Sequence, residues 1–486
     1  MMFKAAYKPL IIFVFMLSIM TPPAFDGLSF VGPAMADDDD DRDDDRDDDR
    51  DDDDDDDDRD RSRGDGRSDR GSSSRGSGSF KDEVNNFLNL FKRRGVEQRP
   101  PKPAQTAGRP VPPLAKYAKN EIVTFGLNDD DLAELLAQNY TLIEDRELTG
   151  LASTRAQRLG VPAGQSLEDA RALVRALPSG QAADFNHFYR ADEALPTNAV
   201  ALPRPSPCDG PHCVNRALVS WSLDLAKQGK CTGDVTVGMI DTGLNESHET
   251  FTKVDLTVHR LTADSADPSR AVHGTAVAAL LVGAPDSRSP GLLPGARMVA
   301  VDAFHRAGRD ERADVFTLID GLSYLAEQGA DVINLSLAGP PNTVLEQAIT
   351  VLDRTHNIVL VASAGNAGPH SDPLYPAAYE PVIAVTAVDR NNNVYRRAVQ
   401  GGHIDLAAPG VEVWTAASVK GARWKTGTSF AAPYVSASAV LLLSRQPELT
   451  PTDVRTMLSE GATDLGAEGR DEVFGHGLVS FDGLCE

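Results

Sequence analysis

The chain is 486 residues long, enough by length for about three domains and at least one well-buried core. Lys and Arg number 48 against 72 Asp and Glu, a formal charge of −24, which argues against a nucleic-acid binder. The charge is unevenly spread: residues 37–60 hold twenty Asp and four Arg, a net −16, and the rest is an ordinary, mildly acidic globular sequence. No apolar run reaches the roughly 20 residues of a membrane helix, which excludes a multi-span membrane protein.

Residues 1–36 have the layout of an export signal. Lys4 and Lys8 give a positive start, Leu10 to Met20 an apolar stretch, and Ala34-Met35-Ala36 a small-x-small cleavage site before Asp37. Export predicts a secreted or periplasmic protein in an oxidising compartment, with no transmembrane span once the signal is removed. Cys208, Cys213, Cys231 and Cys485 are even in number and allow three pairings. Cys208 and Cys213 enclose His212, but no second close Cys/His pair follows, which favours disulfides over zinc.

Residues 37–79 run from the Asp tract into a Ser/Gly/Arg stretch almost devoid of apolar side chains, and such a segment cannot offset the entropy of ordering. Disorder is predicted there, not a calcium site, which needs carboxylates interleaved with turns and carbonyls. Within 80–116, Phe80, Val84, Phe87, Leu88 and Phe91 mark one face of a short amphipathic helix, followed by a proline-rich linker from Pro100 to Pro113.

Residues 117–207 predict a small α+β domain. Strands at 121–125, 140–144, 151–161 and 184–189 alternate with helices at 129–138 and 167–177, the second opened by Ser166 and Asp169 in capping-box spacing. The order βαββαβ describes a ferredoxin-like unit, and it holds no clustered catalytic residue types. In residues 208–486 the pattern changes: Val235–Ile240, Met298–Phe304, Val332–Leu337, Ile358–Ala362 and Val382–Val388 are apolar runs without alternation, as strands buried on both faces should be. Helical stretches at 276–282, 313–328 and 344–355 separate them. This predicts a doubly wound, mainly parallel α/β sheet with its chemistry beyond the carboxyl ends of the strands.

Four short motifs fall at such positions. Asp241-Thr242-Gly243 ends the first strand, and His273-Gly274-Thr275 opens a helix of small residues. Gly427-Thr428-Ser429 begins another helix, where backbone N–H groups and the dipole favour developing negative charge. Ser363-Ala364-Gly365-Asn366 ends a buried strand and brings an amide donor of the kind a tetrahedral oxyanion needs. An aspartic protease needs two facing Asp-Thr-Gly carboxylates, and this chain has one. The α/β-hydrolases run Ser, Asp, His along the chain, whereas the order here is Asp241, His273, Ser429.

With spacings of 32, 93 and 63 residues between Asp241, His273, Asn366 and Ser429, the segment from Val214 to Cys485 resembles the subtilisin-like serine proteases, or subtilases. The resemblance implies an exported serine endopeptidase. Ser429 attacks, His273 moves the proton, Asp241 holds the imidazole and Asn366 stabilises the oxyanion. It further implies that Ser336, Leu337, Ala338 and Gly339 form one wall for a peptide substrate and Ser363, Ala364 and Gly365 the other. Ala276 and Phe430 replace a family His and Met, neither a triad member. Residues 285–294 lack the Asn-rich calcium loop of many relatives, so no metal or other cofactor is expected. Many subtilases carry a domain like 117–207 as an intramolecular chaperone and inhibitor, implying an autoprocessed zymogen cut between about Arg190 and Cys208. An inactive peptide-binding module or an esterase on the same fold are the competing expectations, and the intact motifs argue against the first.

Overall fold

The computed structural model describes residues 113–191, 210–221, 231–262 and 266–484. The export segment, the Asp-rich tract, the helix expected from Phe80 to Phe91, the linker up to residue 112, Cys208 and Cys485 lie outside them.

The chain enters through β1 (Tyr117–Phe125), α1 (Asp129–Ala137), β2 (Thr141–Leu148), β3 (Thr154–Gly160), α2 (Leu167–Arg175) and β4 (Asp184–Ala191). This is the expected βαββαβ order, with antiparallel strands arranged β2-β3-β1-β4. Both helices start at caps: the side chains of Asn128 and Ser166 accept the N–H groups of Asp131 and Asp169. Alternation along β1 divides its side chains between two cores. Ile122 joins Leu135, Leu159 and Val174 beneath the unit's own helices, whereas Val123 and Phe125 belong to a cluster with Phe316, Ile319 and Leu322 of the larger part.

That larger part continues with α3 (Cys213–Leu218), β5 (Thr236–Asp241), β6 (Leu256–Arg260), β7 (Asp267–Pro268), α4 (His273–Val282), β8 (Arg297–Asp302), β9 (His305–Ala307) and β10 (Asp310–Asp314). Then come α5 (Val315–Glu327), β11 (Val332–Leu335), β12 (Leu337–Ala338), α6 (Thr343–His356), β13 (Val359–Ser363), β14 (Val382–Val388) and β15 (Leu406–Pro409). The hairpin β16 (Val413–Ala416) and β17 (Ala422–Lys425) precedes α7 (Ala432–Arg445) and α8 (Pro451–Glu460).

Seven parallel strands form the main sheet in the order β15-β14-β13-β11-β5-β8-β6. The five expected strands lie at its centre, and β6 and β15 extend it at the edges. Every residue of β5, β11, β13 and β14 is buried, because α4 and α7 cover one face and α5 and α6 the other. All of α4 is buried, as a helix apolar on every side must be. The winding reverses at β5, which has β11 on one side and β8 on the other. The crevice beyond its carboxyl end is where such a sheet places a site.

Arg216 of α3 is fully buried over the Trp221 ring, 4.0 Å from its centroid, and donates to the carbonyls of Pro290 and Gly291. Burial pushes its pKa down to about 10. The segment expected to lack a calcium loop is thus held by a side-chain cation.

β4 joins the two parts. Its last residues pair antiparallel with both β10 and β12: Phe188 and Tyr189 lie opposite Asp314 and Ala313, and Arg190 and Ala191 lie opposite Ala338 and Leu337. At its start, the buried Asp184 carboxylate accepts from Arg171 at 3.0 Å, from Arg175 at 3.1 Å and from the Thr343 N–H at the start of α6 at 3.1 Å. Burial alone would raise this carboxyl, but the Thr343 N–H and the Arg171 guanidinium outweigh burial and hold it below the usual range. Asn342 bonds the Phe185 carbonyl at 2.9 Å while its own oxygen caps α6.

Removing one partner of such a buried ionic cluster leaves the others unpaired, a loss of about 3 to 5 kcal/mol. Asp184→Ala should lower the stability of the full chain by that order in urea unfolding. Because the folded-state pKa is depressed, the contribution is complete above the ordinary carboxylate range and is lost as pH falls below that range, through the depressed folded-state value. The gap between wild type and variant should therefore close below about pH 4.

Candidate active site

Asp241, the last residue of β5, has no exposed surface, and a buried charge needs partners. Its Oδ1 accepts the Thr242 N–H at 2.7 Å and lies 2.7 Å from Nδ1 of His273, the first residue of α4. Glycine follows because the helix touches the turn after β5: a Cβ on Gly274 would lie 2.2 Å from the Thr242 carbonyl oxygen. The Gly274 N–H instead donates to Thr242 Oγ1 at 2.9 Å. Thr275 Oγ1 donates to the Ala271 carbonyl and accepts the Asn245 N–H, at 2.6 and 2.8 Å. Ser269 Oγ accepts the Gly243 N–H at 2.7 Å and donates to Asp302 at 3.1 Å. Burial pushes the Asp302 carboxyl up, and burial raises the nearby Glu311 carboxyl as well, against the lowering effect of the Arg270 N–H.

Ser429 lies in the single turn Thr428–Phe430 directly before α7 and is fully buried. Its Oγ is 3.4 Å from the Ser336 carbonyl, and Ser336 Oγ donates back to the Ser429 carbonyl at 2.9 Å. Asn334 Nδ2 donates to Ser336 Oγ at 2.8 Å, and Ser436 Oγ donates to Asn334 Oδ1 at 3.0 Å. The Phe430 ring sits 5.5 Å from the His273 ring, which sets the Ser429 turn against the imidazole.

Asn366 follows β13. Its Oδ1 accepts both the N–H and the Oγ1 of Thr428, at 3.0 and 3.2 Å, and Thr428 Oγ1 also accepts the Gly365 N–H at 3.1 Å. Fixing Oδ1 on Thr428 fixes the direction of the Nδ2 donor. Ser436 lies outside the motifs, and the role of Thr428 within Gly427-Thr428-Ser429 carries no signature of its own, since each acts by holding a neighbour. Thr428 is nevertheless adjacent to Ser429 in sequence.

Ala338, Gly339, Asn366, Ala367, Leu374, Arg397 and Arg190 line a cavity of about 290 Å³. Of the two walls expected from sequence, Ala338 and Gly339 reach it. Ser336, Leu337, Ser363 and Ala364 are buried behind it, and Leu374 covers Gly365, whose φ of +102° and close contact leave no room for a side chain. Leu374 and Arg397 sit on loops and carry no local signature. Among the described residues no group of three His, Cys, Asp or Glu side chains is placed to hold a metal ion. A carboxylate-held imidazole, a hydroxyl in a helix-opening turn and an oriented amide donor are the parts required for acyl transfer to a nucleophile.

A family model described as the Subtilase family matches residues 232–477. The chain is 34% identical over 266 residues to subtilisin DY of Bacillus licheniformis, across 53% of this chain and 93% of that protein. It is 34% identical over 210 residues to subtilisin BL of Lederbergia lenta, across 43% and 75%. Among solved structures, fervidolysin from Fervidobacterium pennivorans, a keratinolytic enzyme related to subtilisin, shares the fold with a TM-score of 0.62 at 21% identity. That match covers 76% of this chain and 61% of the fervidolysin chain.

The 2.7 Å contact between Asp241 and His273 is a charge-assisted hydrogen bond whose proton should resonate downfield of the amide region in NMR spectra. The signal should vanish in Asp241→Asn; its survival there would place the bond elsewhere.

Proposed function

Because the chain belongs to the subtilase family of serine peptidases, we propose that it is an exported serine endopeptidase, made as a zymogen, that cleaves peptide bonds through Asp241, His273, Ser429 and Asn366. One observation carries the endopeptidase and zymogen part of this reading. β4 lies as an added antiparallel strand between β10 and β12, and the next residue along the β12 wall is Ser336, bonded to Ser429. A cleft that accepts main chain on both edges suits extended peptides better than small esters.

On this reading Ser429 Oγ attacks the scissile carbonyl while His273 takes its proton, and the C–O bond of a tetrahedral intermediate forms. Asp241 holds the imidazole through Nδ1 and stabilises the imidazolium. The developing oxyanion is met by the Asn366 amide, aimed by Thr428, and by the Ser429 N–H at the start of the turn. His273 returns the proton to the leaving amine, the C–N bond breaks, and water releases the acyl group by the same route. Residues 117–191 act as the inhibitor, β4 filling the cleft until the chain is cut between about Arg190 and Cys208. Cys213 and Cys231 are both disulfide-bonded, which supports an oxidising destination. No described helix is long and apolar enough to cross a membrane.

Intact-mass measurement tests the reading: purified wild type should lose everything up to the 190–208 region, and Ser429→Ala should stay full length. Both remaining uncut, with no labelling by a fluorophosphonate, would overturn it. Asn366→Ala should lower turnover by roughly 100- to 1000-fold with KM little changed.

A further inference from the structure

The cavity beside Asn366 has a charge character that the peptidase reading does not use. Its lining contains two arginines and no carboxylate. Arg190 is neutralised: its Nε and Nη2 bond the two oxygens of Asp310 at 2.7 and 2.8 Å. Arg397 is not. It is exposed, makes no ion pair among the described residues, and is held in place by Nε, which donates to the Asn366 carbonyl at 3.1 Å, and by its own carbonyl, which accepts the Gly368 N–H at 2.9 Å. One nitrogen is thus tied beside the oxyanion residue, and the terminal N–H groups of the fork remain to meet an acceptor.

The position of a bound side chain follows from strand geometry. Arg190 lies opposite Ala338 and lines the cavity. In an extended chain, side chains two residues apart share a face, so a substrate strand bound in the register of β4 would project its residue level with Ser336 to the same cavity. Ser336 is the residue bonded to Ser429, so a substrate residue at that level is the one whose carbonyl is attacked. Leu374 limits the depth, because its Cδ1 already occupies the space above Gly365, 2.5 Å from where a Cβ would sit.

We propose that this cavity is a specificity pocket for a short acidic side chain, aspartate before glutamate, on the acyl side of the scissile bond, with Arg397 as its recognition residue and Leu374 as its floor. The proposal rests on the peptidase reading of the same site and deepens it. The sequence after β4 continues Asp192-Glu193, acidic residues inside the interval expected for processing.

The test uses quenched peptides identical except for Asp, Glu, Asn, Leu or Lys at that position, with the purified processed protein. Aspartate should exceed its neutral isostere asparagine by about tenfold or more in kcat/KM, since a charge-assisted fork is lost with asparagine. That ratio should fall as salt rises. Arg397→Gln should bring it close to one, and Arg397→Glu should favour lysine. Leu374→Gly, which leaves Arg397 untouched, should shift preference from aspartate towards glutamate. Hydrolysis of the neutral peptides with no gain for aspartate, or a gain that survives Arg397→Gln, overturns the pocket assignment alone. Hydrolysis of none of them overturns the peptidase reading and the assignment together.

Discussion

The constraint on which the site depends is a carboxylate placed where water cannot reach it. Asp241 is fully buried at the point where the sheet reverses its winding, and a charge in that position needs donors to persist. Both donors converge on Oδ1 and come from the two residues that the chain can bring there: the N–H of Thr242, next in sequence, and the imidazole of His273, first on α4. Meeting the second demands that α4 press directly on the turn after β5. Hence the glycine at 274 and the small, wholly apolar helix behind it. The Asp-Thr-Gly and His-Gly-Thr motifs are thus two halves of one packing problem, and the orientation of the imidazole is its by-product.

A second dependence runs through Thr428 and Ser336. The Asn366 amide and the Ser429 turn are not positioned independently, since Thr428 binds the oxygen of the first and belongs to the second. On the other side, Ser436, Asn334 and Ser336 link α7, β11 and the cleft wall to the Ser429 carbonyl. Buried polar chains of this sort specify one arrangement because every alternative strands a donor or acceptor. Ser429 and Asn366 share these supports and so move together, which would keep a nucleophile and an oxyanion donor in those roles at a constant separation.

How much of this could be read beforehand follows from the physics of each element. The central strands declared themselves because burial on both faces removes any reason for alternation, and the caps of α1 and α2 are short-range chemistry. β6 and β15 escaped notice: Leu-Thr-Val-His-Arg alternates as a half-exposed edge strand, and Leu-Ala-Ala-Pro is four residues ending in the one residue type that cannot donate to a ladder. The residues carrying Asp241, His273, Asn366 and Ser429 were legible because each sits beside glycine or a small residue at a strand or helix end. The cavity was not. Leu374 and Arg397 reach it from loops, Arg397 from beyond β14 (Val382–Val388), and only the closed fold makes them neighbours.

The division of apolar surface between the two parts bears on how a zymogen of this kind would switch. The small unit keeps one core to itself, around Leu135, Leu159 and Val174, but Val123, Phe125, Leu148, Leu151 and Tyr189 are buried in the cluster that includes α5 and α6. Domains of this size are marginal even with their whole core intact. If the unit inhibits as proposed, β4 in the continuous chain would be tethered and would compete for the cleft at a high effective concentration whatever the protein concentration. After a cut, the same strand would bind by mass action, and each dissociation would expose the second apolar face of a unit whose remaining core is small. Release and loss of structure would then reinforce each other, so a single cleavage would suffice to make an inhibition that was stable in the intact chain decay with dilution.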